Sequence, residues 1–164
     1  MRRIYLLMFA LMLCFSMANA QVIEGTVLKS WDGASGSIEI PANVTEIAAN
    51  CFYTPAEEDP DTWEVIAEEK SNTNITSVKL NNVKKIGKNA FRGCSNIETI
   101  DAPNVETIEE GAFYGLEKLT ILSLPSIKEL GMNAFEGCNQ IAKIALGSGL
   151  AKMFGNTFKG CKAV

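Results

Sequence analysis

The chain has 164 residues, of which 19 are acidic, 15 are Lys or Arg and none is histidine, giving a formal net charge of −4. This acidic balance argues against binding to nucleic acid or to anionic membrane surfaces, because both are bound through clustered Lys and Arg. The lack of histidine excludes serine–histidine and cysteine–histidine catalysis and histidine-ligated metal sites.

Residues 1–20 are predicted to be a secretory signal. Arg2 and Arg3 precede an apolar run over residues 4–17, and Ala18-Asn19-Ala20 supplies the small residues of a cleavage site before Gln21. The run is shorter than the roughly 18 residues that a membrane span needs, so the pattern favours release over anchoring. We therefore expect an exported protein, either secreted, periplasmic or at the cell surface, without membrane insertion.

Two segments without the repeat come next. Residues 21–42 are predicted to be an N-terminal cap, with short strands at 22–31 and 37–40 around an Asp32-Gly33 turn. Residues 54–72 are predicted to be an insertion in the first repeat, with seven acids between Glu57 and Glu69. The centre of this insertion, around Trp63, is expected to form a small strand or turn.

A 22-residue unit repeats over residues 43–164. Phe91, Phe113 and Phe135 are spaced by 22, and Phe158 follows after 23. A fixed period in the twenties is typical of a solenoid, in which each unit buries its apolar face against its neighbours. We predict a single domain in which these phenylalanines and Phe52 stack as an interior ladder rather than as a ligand cage.

Each unit contains signals for two extended pieces. Alternating apolar residues that end near proline, as in 119–125, predict a strand with one buried face. A short apolar pair such as Val105 and Ile108 predicts the second piece. Segments such as Asn89–Gly93 predict a short helical turn between them, because Asn and Gly are typical of helix ends. The predicted class is α/β, with parallel strands and mainly β by residue count.

Four cysteines follow the predicted signal: Cys51, Cys94, Cys138 and Cys161. Three occupy one repeat position, which Leu116 fills in the remaining unit, so this position favours a buried apolar plug and free thiols. Cys94 and Cys138 are two coils apart, roughly 10 Å, which is too far for a disulfide. Cys138 and Cys161 are on adjacent coils, and a bridge between them stays open.

The segment Ile86-Gly87-x-Asn89-Ala90-Phe91-x-Gly93-Cys94, with further copies at 108–115 and 130–138, resembles the BspA-like leucine-rich repeats of bacterial surface proteins. The resemblance implies a right-handed curved solenoid on an exported protein. Some members of that family are implicated in adhesion to host matrix proteins or to other bacteria. The acidic insertion and the short array depart from the family pattern.

The candidate contact residues lie on the predicted outer surface. Outward positions on the main strands are Ser77, Lys79, Thr99, Asp101, Ile121, Ser123, Lys143 and Ala145. Tyr53 and Tyr114 follow ladder phenylalanines and are expected outside. Together with Trp63 they are candidate contacts, since Tyr and Trp are enriched in interface hot spots. We predict a non-enzymatic protein-binding or adhesion module without cofactor or metal, whose partner is a host matrix protein or another cell surface.

Two other functions stay open. The repeat stops where its next strand would begin, so the strand near 141–146 is expected to have an open edge that pairs with another chain in a structural role or a homo-oligomer. Asp59, Asp61 and Glu64 are the candidates for a carboxylate-based hydrolase or a weak calcium site. A solvated loop lacks the rigid support that a catalytic carboxylate pair needs, and the spacing lacks the later ligands of an EF-hand, so we expect neither site.

Overall fold

The part of the chain described by the computed structural model, residues 20–162, contains short β-strands and no helix. The strands are β1 (Ala20–Glu24), β2 (Val27–Asp32), β3 (Gly36–Glu39), β4 (Glu46–Ile47), β5 (Tyr53–Thr54), β6 (Glu57–Glu58), β7 (Val65–Ala67), β8 (Lys70–Ser71), β9 (Ile75–Lys79), β10 (Lys85–Ile86), β11 (Thr99–Asp101), β12 (Thr107–Ile108), β13 (Ile121–Leu124), β14 (Glu129–Leu130), β15 (Lys143–Leu146) and β16 (Lys152–Met153). The predicted signal lies almost entirely outside the described residues.

The strands wind into a single-domain β-solenoid of about six coils. We number the coils 1 to 6 by their residues: 27–40, 44–80, 83–102, 105–124, 127–146 and 150–162. One sheet runs along the solenoid in the order β1-β2-β4-β10-β12-β14-β16, and all its pairs are parallel except β1–β2. A second layer contains the longer strands β3, β9, β11, β13 and β15. The prediction of two extended pieces per unit is confirmed.

The interior is filled by the predicted phenylalanine ladder. Adjacent rings have centroids 4.6, 5.2, 5.3 and 5.5 Å apart along Phe52, Phe91, Phe113, Phe135 and Phe158, and all four pairs are stacked. Three of the five are fully buried, with exposures of 0 to 1%. A 22-residue period places equivalent side chains one above another, and burial of these large rings contributes most to such a core.

The predicted helical turns are wrong. Asn89 and Gly93 both have left-handed φ angles, +54° and +67°, so a right-handed helix cannot continue through either. The amides of Asn89, Phe91 and Gly93 donate instead to carbonyls of coil 4, at 3.0, 2.8 and 2.8 Å. The Ala90 and Arg92 amides close local turns, onto the Gly87 carbonyl at 3.2 Å and the Asn89 carbonyl at 3.1 Å. Hydrogen bonds between coils replace those of a helix, so the α/β class is not supported.

The N-terminal segment differs in detail from the predicted cap. Gly33 forms the predicted turn with a φ of +75°, yet the strands on either side, β2 and β3, belong to different sheets. Residues 27–40 therefore form a coil that pairs in parallel with coil 2. The Trp31 ring lies 6.4 Å from Phe52, tilted by 44°, and ends the aromatic column on this side.

The acidic insertion leaves the solenoid as a two-part hairpin, which we call the arm and define as residues 53–71. Its base is the antiparallel pair β5–β8, and its tip is the antiparallel pair β6–β7. The Tyr53 hydroxyl donates to the Glu69 carboxylate at 2.7 Å and ties the two sides together above the base. We call the rest of the described chain the body.

Candidate functional site

The outward positions of the second layer are solvent-exposed, as the alternation predicted, except Ser77, which is half-buried. Thr99, Asp101, Ser123 and Lys143 are exposed, and Ile121 is 59% exposed. The inward residues that alternate with them lie in or against the core, so each outward side chain projects from a strand whose other face is held by packing. These side chains have the geometry of a contact face, whereas their role in binding stays a prediction.

The outward side chains of β9, Ser77 and Lys79, form polar contacts with side chains of coil 1. Lys79 forms an ion pair with Glu39 on the neighbouring strand at 3.0 Å, and the Ser77 hydroxyl donates to the Ser37 hydroxyl at 2.7 Å. The pKa of the Glu39 carboxyl is lowered, mainly by its hydrogen bonds from Asn81 and Lys79. Lys79 is consequently less available for an incoming partner than Lys143, which has no ion pair within residues 20–162.

The face is not one continuous sheet. β3, β9 and β11 form one hydrogen-bonded ladder and β13 and β15 form another, without strand pairing between β11 and β13 in the described chain. On either side of this break, Leu122 lies in the common core and Ile100 packs against that core. The outward face of the long strands therefore consists of two hydrogen-bonded ladders joined by side-chain packing.

A polar column runs beside the phenylalanine ladder, at the position after each ring. The Arg92 guanidinium lies 4.2 Å from the centroid of Tyr114 and 5.6 Å from that of Tyr53, within the range of cation–π attraction. Further along, the Lys159 ammonium lies 2.7 Å from the Glu136 carboxylate. The charged and aromatic side chains of this column therefore contact one another.

This column changes the roles expected for the tyrosines. Tyr53 is only 8% exposed, so its predicted position on the outside is wrong: the arm folds over it, and Glu69 accepts its hydroxyl hydrogen bond. Burial, followed by this hydrogen bond, raises the pKa of Tyr53. Tyr114 is half-buried beneath Arg92. Arg92 occupies the same repeat position on the coil between Tyr53 and Tyr114. This shared position could have identified Arg92 as a contact of both tyrosines, but sequence reasoning did not name it.

Trp63 lies at the tip of the arm and is 76% exposed. The Asp59 carboxylate accepts the amides of Asp61 and Thr62 at 2.8 and 2.9 Å, and the Trp63 amide donates to the Asp59 carbonyl at 2.8 Å. These bonds close a turn in which Trp63 has a φ of +60°, an uncommon value for a bulky residue. The structure therefore presents Trp63 to solvent, as its predicted contact role requires.

An open cleft of about 490 Å³ lies where coil 1, coil 2 and the base of the arm meet. Its lining includes Ser30, Asp32, Asn50, Lys70 and Asn74. Sequence reasoning missed this cleft because the lining comes from segments that are far apart in the chain and share no repeat position. The lining is polar, and Asp32 and Lys70 are its charged side chains.

Of the three carboxylates named as catalytic or calcium-binding candidates, that of Asp59 holds the turn of the arm by accepting backbone hydrogen bonds. Asp59 receives backbone hydrogen bonds, first from Thr62 and then from Asp61, which lower the pKa of its carboxyl. Within residues 20–162 there is no group of three or more His, Cys, Asp or Glu side chains placed to hold a metal ion. The same part of the chain contains no helix long and apolar enough to cross a membrane.

Residues 68–164 match the family described as BspA type Leucine rich repeat region (6 copies). The chain belongs to this family. The match covers more than half of the chain and includes the aromatic column from Phe91 to Phe158. No curated protein sequence matches the chain.

Solved structures share this BspA-type fold at low sequence identity. A leucine rich cell surface protein from Faecalibacterium prausnitzii A2-165 has 17% identity and a TM-score of 0.53 over 90% of this chain and 46% of its own. The pneumococcal vaccine antigen PcpA has 19% identity and a TM-score of 0.52, and the alignment covers 87% of this chain and 45% of PcpA. The T. pallidum leucine rich repeat protein TpLRR has 17% identity and a TM-score of 0.50, and the alignment covers 91% of this chain and 89% of TpLRR. The chain spans about half the length of the first two.

The cysteines of this BspA-type array are buried within the coils. Cys51, Cys94, Cys138 and Cys161 are free and buried, as predicted, and the last three share one repeat position. Burial raises the pKa of Cys51, Cys94 and Cys138 to about 12, so these thiols are uncharged at neutral pH. The Cys138 thiol donates to the Phe113 carbonyl at 3.1 Å. A neutral, enclosed thiol is a packing group and a poor nucleophile.

Proposed function

We propose that this protein is an exported, non-enzymatic binding module that attaches to other proteins, with host matrix proteins or another cell surface as its targets. The observation that carries the proposal is the filled interior: the aromatic column occupies the centre of the coils, and function falls to the outer surface. The fold shared with proteins named as a cell surface protein and a vaccine antigen supports export.

The contact face is proposed to be the outward side of the longer strands. Exposed side chains at Thr99, Asp101, Ile121, Ser123 and Lys143 lie on a scaffold held from within, so they bind without a large ordering cost. A few short strands about 4.8 Å apart present only a small contact area. Small interfaces are typical of weak, transient binding.

The test is binding of the full chain to purified host matrix proteins, immobilised one at a time. We expect saturable binding that Ile121→Asp weakens by about tenfold or more, because it places a charge in the centre of the face. Met132→Asp is the matched control, since Met132 is 49% exposed and lies off the strands of this face. Absence of saturable binding to every matrix protein would contradict attachment to the matrix.

Export is tested separately by the N-terminus of the protein recovered outside the producing cells. A first residue of Gln21 would agree with the proposed cleavage. Recovery only from inside the cells, with Met1 retained, would contradict it.

A second candidate function is assembly through coil 6. In the described chain, the amides of Asn156, Phe158 and Gly160 lack the acceptor that their equivalents in coil 5 find in coil 6. Met153 and Phe154 beside them are 59% and 48% exposed. This edge fits the backbone of another coil, because unpaired strand edges pair readily with further chains. A light-scattering mass equal to one chain across a wide concentration range would contradict assembly.

A further inference from the structure

The tip of the arm has an apolar surface that nothing in the described chain covers. Trp63, Val65 and Ile66 are 76, 52 and 65% exposed. Every residue from Thr54 to Lys70 is exposed except Asp59, which is half-buried. Val65 and Ile66 are adjacent in β7 and therefore point to opposite faces, so neither face of the tip packs against a coil.

This surface is nevertheless built in a defined shape. The β6–β7 pair, the bonds of Asp59 to Asp61 and Thr62, and the link from Tyr53 to Glu69 fix the hairpin along its length. An exposed Trp held on a defined turn loses little freedom on binding, which is the property of an interface anchor. Isolated surface apolar residues are ordinary, whereas three around one hairpin tip indicate a contact site.

The charge of the molecule is concentrated on the same arm. The arm has seven acids and one lysine, for a net charge of −6. The body, within residues 20–162, has the other 12 acids and 12 Lys or Arg residues, for a net charge of zero. The entire net charge of the described chain therefore surrounds Trp63.

The two sets of acids also differ in their partners. Seven body lysines form ion pairs with body carboxylates: Lys29, Lys79, Lys85, Lys88, Lys128, Lys152 and Lys159. No ion pair in residues 20–162 involves a carboxylate of the arm. A second copy of this chain is thus a poor partner for the arm, because most of its lysines already form ion pairs.

We propose that the arm is a docking element for a foreign protein whose surface has an apolar groove bordered by Lys and Arg. Trp63 enters the groove, with Val65 and Ile66 against its walls, and the unpaired carboxylates meet the basic border. The attraction between opposite charges accelerates encounter and selects the partner, while the apolar contact supplies the affinity. This inference rests on the proposed function and places the specificity on the arm.

The test uses the full chain, immobilised, and a displayed library of random short peptides. We expect the selected peptides to combine Lys or Arg with large apolar residues. For synthetic copies of those peptides, Trp63→Ala should weaken binding by about 30-fold or more. Trp63→Phe should keep most of the affinity, and Met132→Ala, which truncates an exposed apolar residue of the body outside the contact face, should leave it unchanged.

Two further readouts follow the same complex. Trp63 is exposed whereas Trp31, the other tryptophan, is buried, so a peptide on the arm should shift the emission to shorter wavelength and reduce quenching by acrylamide. Asp61→Asn with Glu64→Gln should weaken binding several-fold and flatten its dependence on salt, because it removes exposed charges at the site.

The outcomes separate this inference from the proposed function. Peptides that bind Trp63→Ala as tightly as the parent chain but lose affinity with Ile121→Asp would overturn the arm proposal and leave the binding function standing. Selected peptides without basic residues would also overturn it. A library that yields no binding peptide at all would count against both.

Discussion

The body and the arm use their side chains in opposite ways. In the body, coils 2 to 5 each bury a phenylalanine of the ladder. Eight of the 12 body carboxylates pair with lysines, many of them on the neighbouring coil. In the arm, the largest apolar side chain is exposed and the acids have no cationic partner in the described chain. The contrast indicates that stability resides in the repeat, whereas the insertion can serve recognition without weakening the core.

The sharpest way to break this comparison is to truncate one aromatic residue in each region. Phe113→Ala should cost about 3–5 kcal/mol of the free energy of unfolding, because it opens a cavity between two stacked rings. Trp63→Ala should change it by less than about 0.5 kcal/mol, since that ring touches mainly solvent. Urea unfolding measures both. Equal losses would show that the arm is part of the core.

The close approach of neighbouring coils provides the second test. A Cβ atom added to Gly131 would lie 2.5 Å from the Glu109 carbonyl carbon and 2.6 Å from the Glu110 amide nitrogen. Gly131→Ala should therefore cost roughly 1–3 kcal/mol, because backbone must move to relieve the overlap. Gly155→Ala is the matched control, since nothing lies within 4 Å of its added Cβ. Similar unfolding curves for the two variants would contradict the packing described.

Ion pairs between coils should contribute less. The Lys85 ammonium lies 3.1 Å from Glu46 and 3.0 Å from Glu109, so it joins coils 2, 3 and 4. Lys85→Met should cost about 0.2–1 kcal/mol, and the difference should shrink in high salt. Lys118→Met, at an exposed lysine without an ion pair in residues 20–162, should have no such effect.

The same lysine predicts a dependence on alkaline pH. Hydrogen bonds to Glu109 and then Glu46 raise the pKa of Lys85 above its ordinary 10.5. Its contribution is therefore complete below pH 10.5 and is lost as the pH rises through the higher folded value. Comparing unfolding of the parent and Lys85→Met at several alkaline pH values checks this, and a gap that widens with pH would contradict it.

The smallest effect should be confined to the arm. Asp59→Ala removes the acceptor of the Asp61 and Thr62 amides, so exchange of these amides should accelerate while global unfolding stays unchanged. Because the same bonds lower the pKa of Asp59 below 3.8, their protection is present above that value and is lost as the pH falls through the folded pKa. Amide exchange by NMR measures this, and uniform acceleration throughout the body would show that the two regions are coupled.

Local signals were least informative where two conformations share one residue pattern. The Asn and Gly residues that bracket the ladder phenylalanines from Phe91 to Phe158 suit either the ends of a helical turn or two left-handed positions. The left-handed positions are adopted, because amides such as that of Phe91 then donate to carbonyls of the next coil. Tyr53 was likewise misplaced, since its burial depends on the arm closing over it.

Periodicity alone was sufficient to predict the solenoid, the phenylalanine ladder, the buried thiols and the exposed positions of the long strands. Repetition makes each residue's neighbour the equivalent residue of the next coil, so spacing along the chain reports contacts in space. The break between β11 and β13, the cleft beside the arm and the presentation of Trp63 became visible only in three dimensions. Their contacts join segments with no equivalent elsewhere in the chain, so no spacing encodes them.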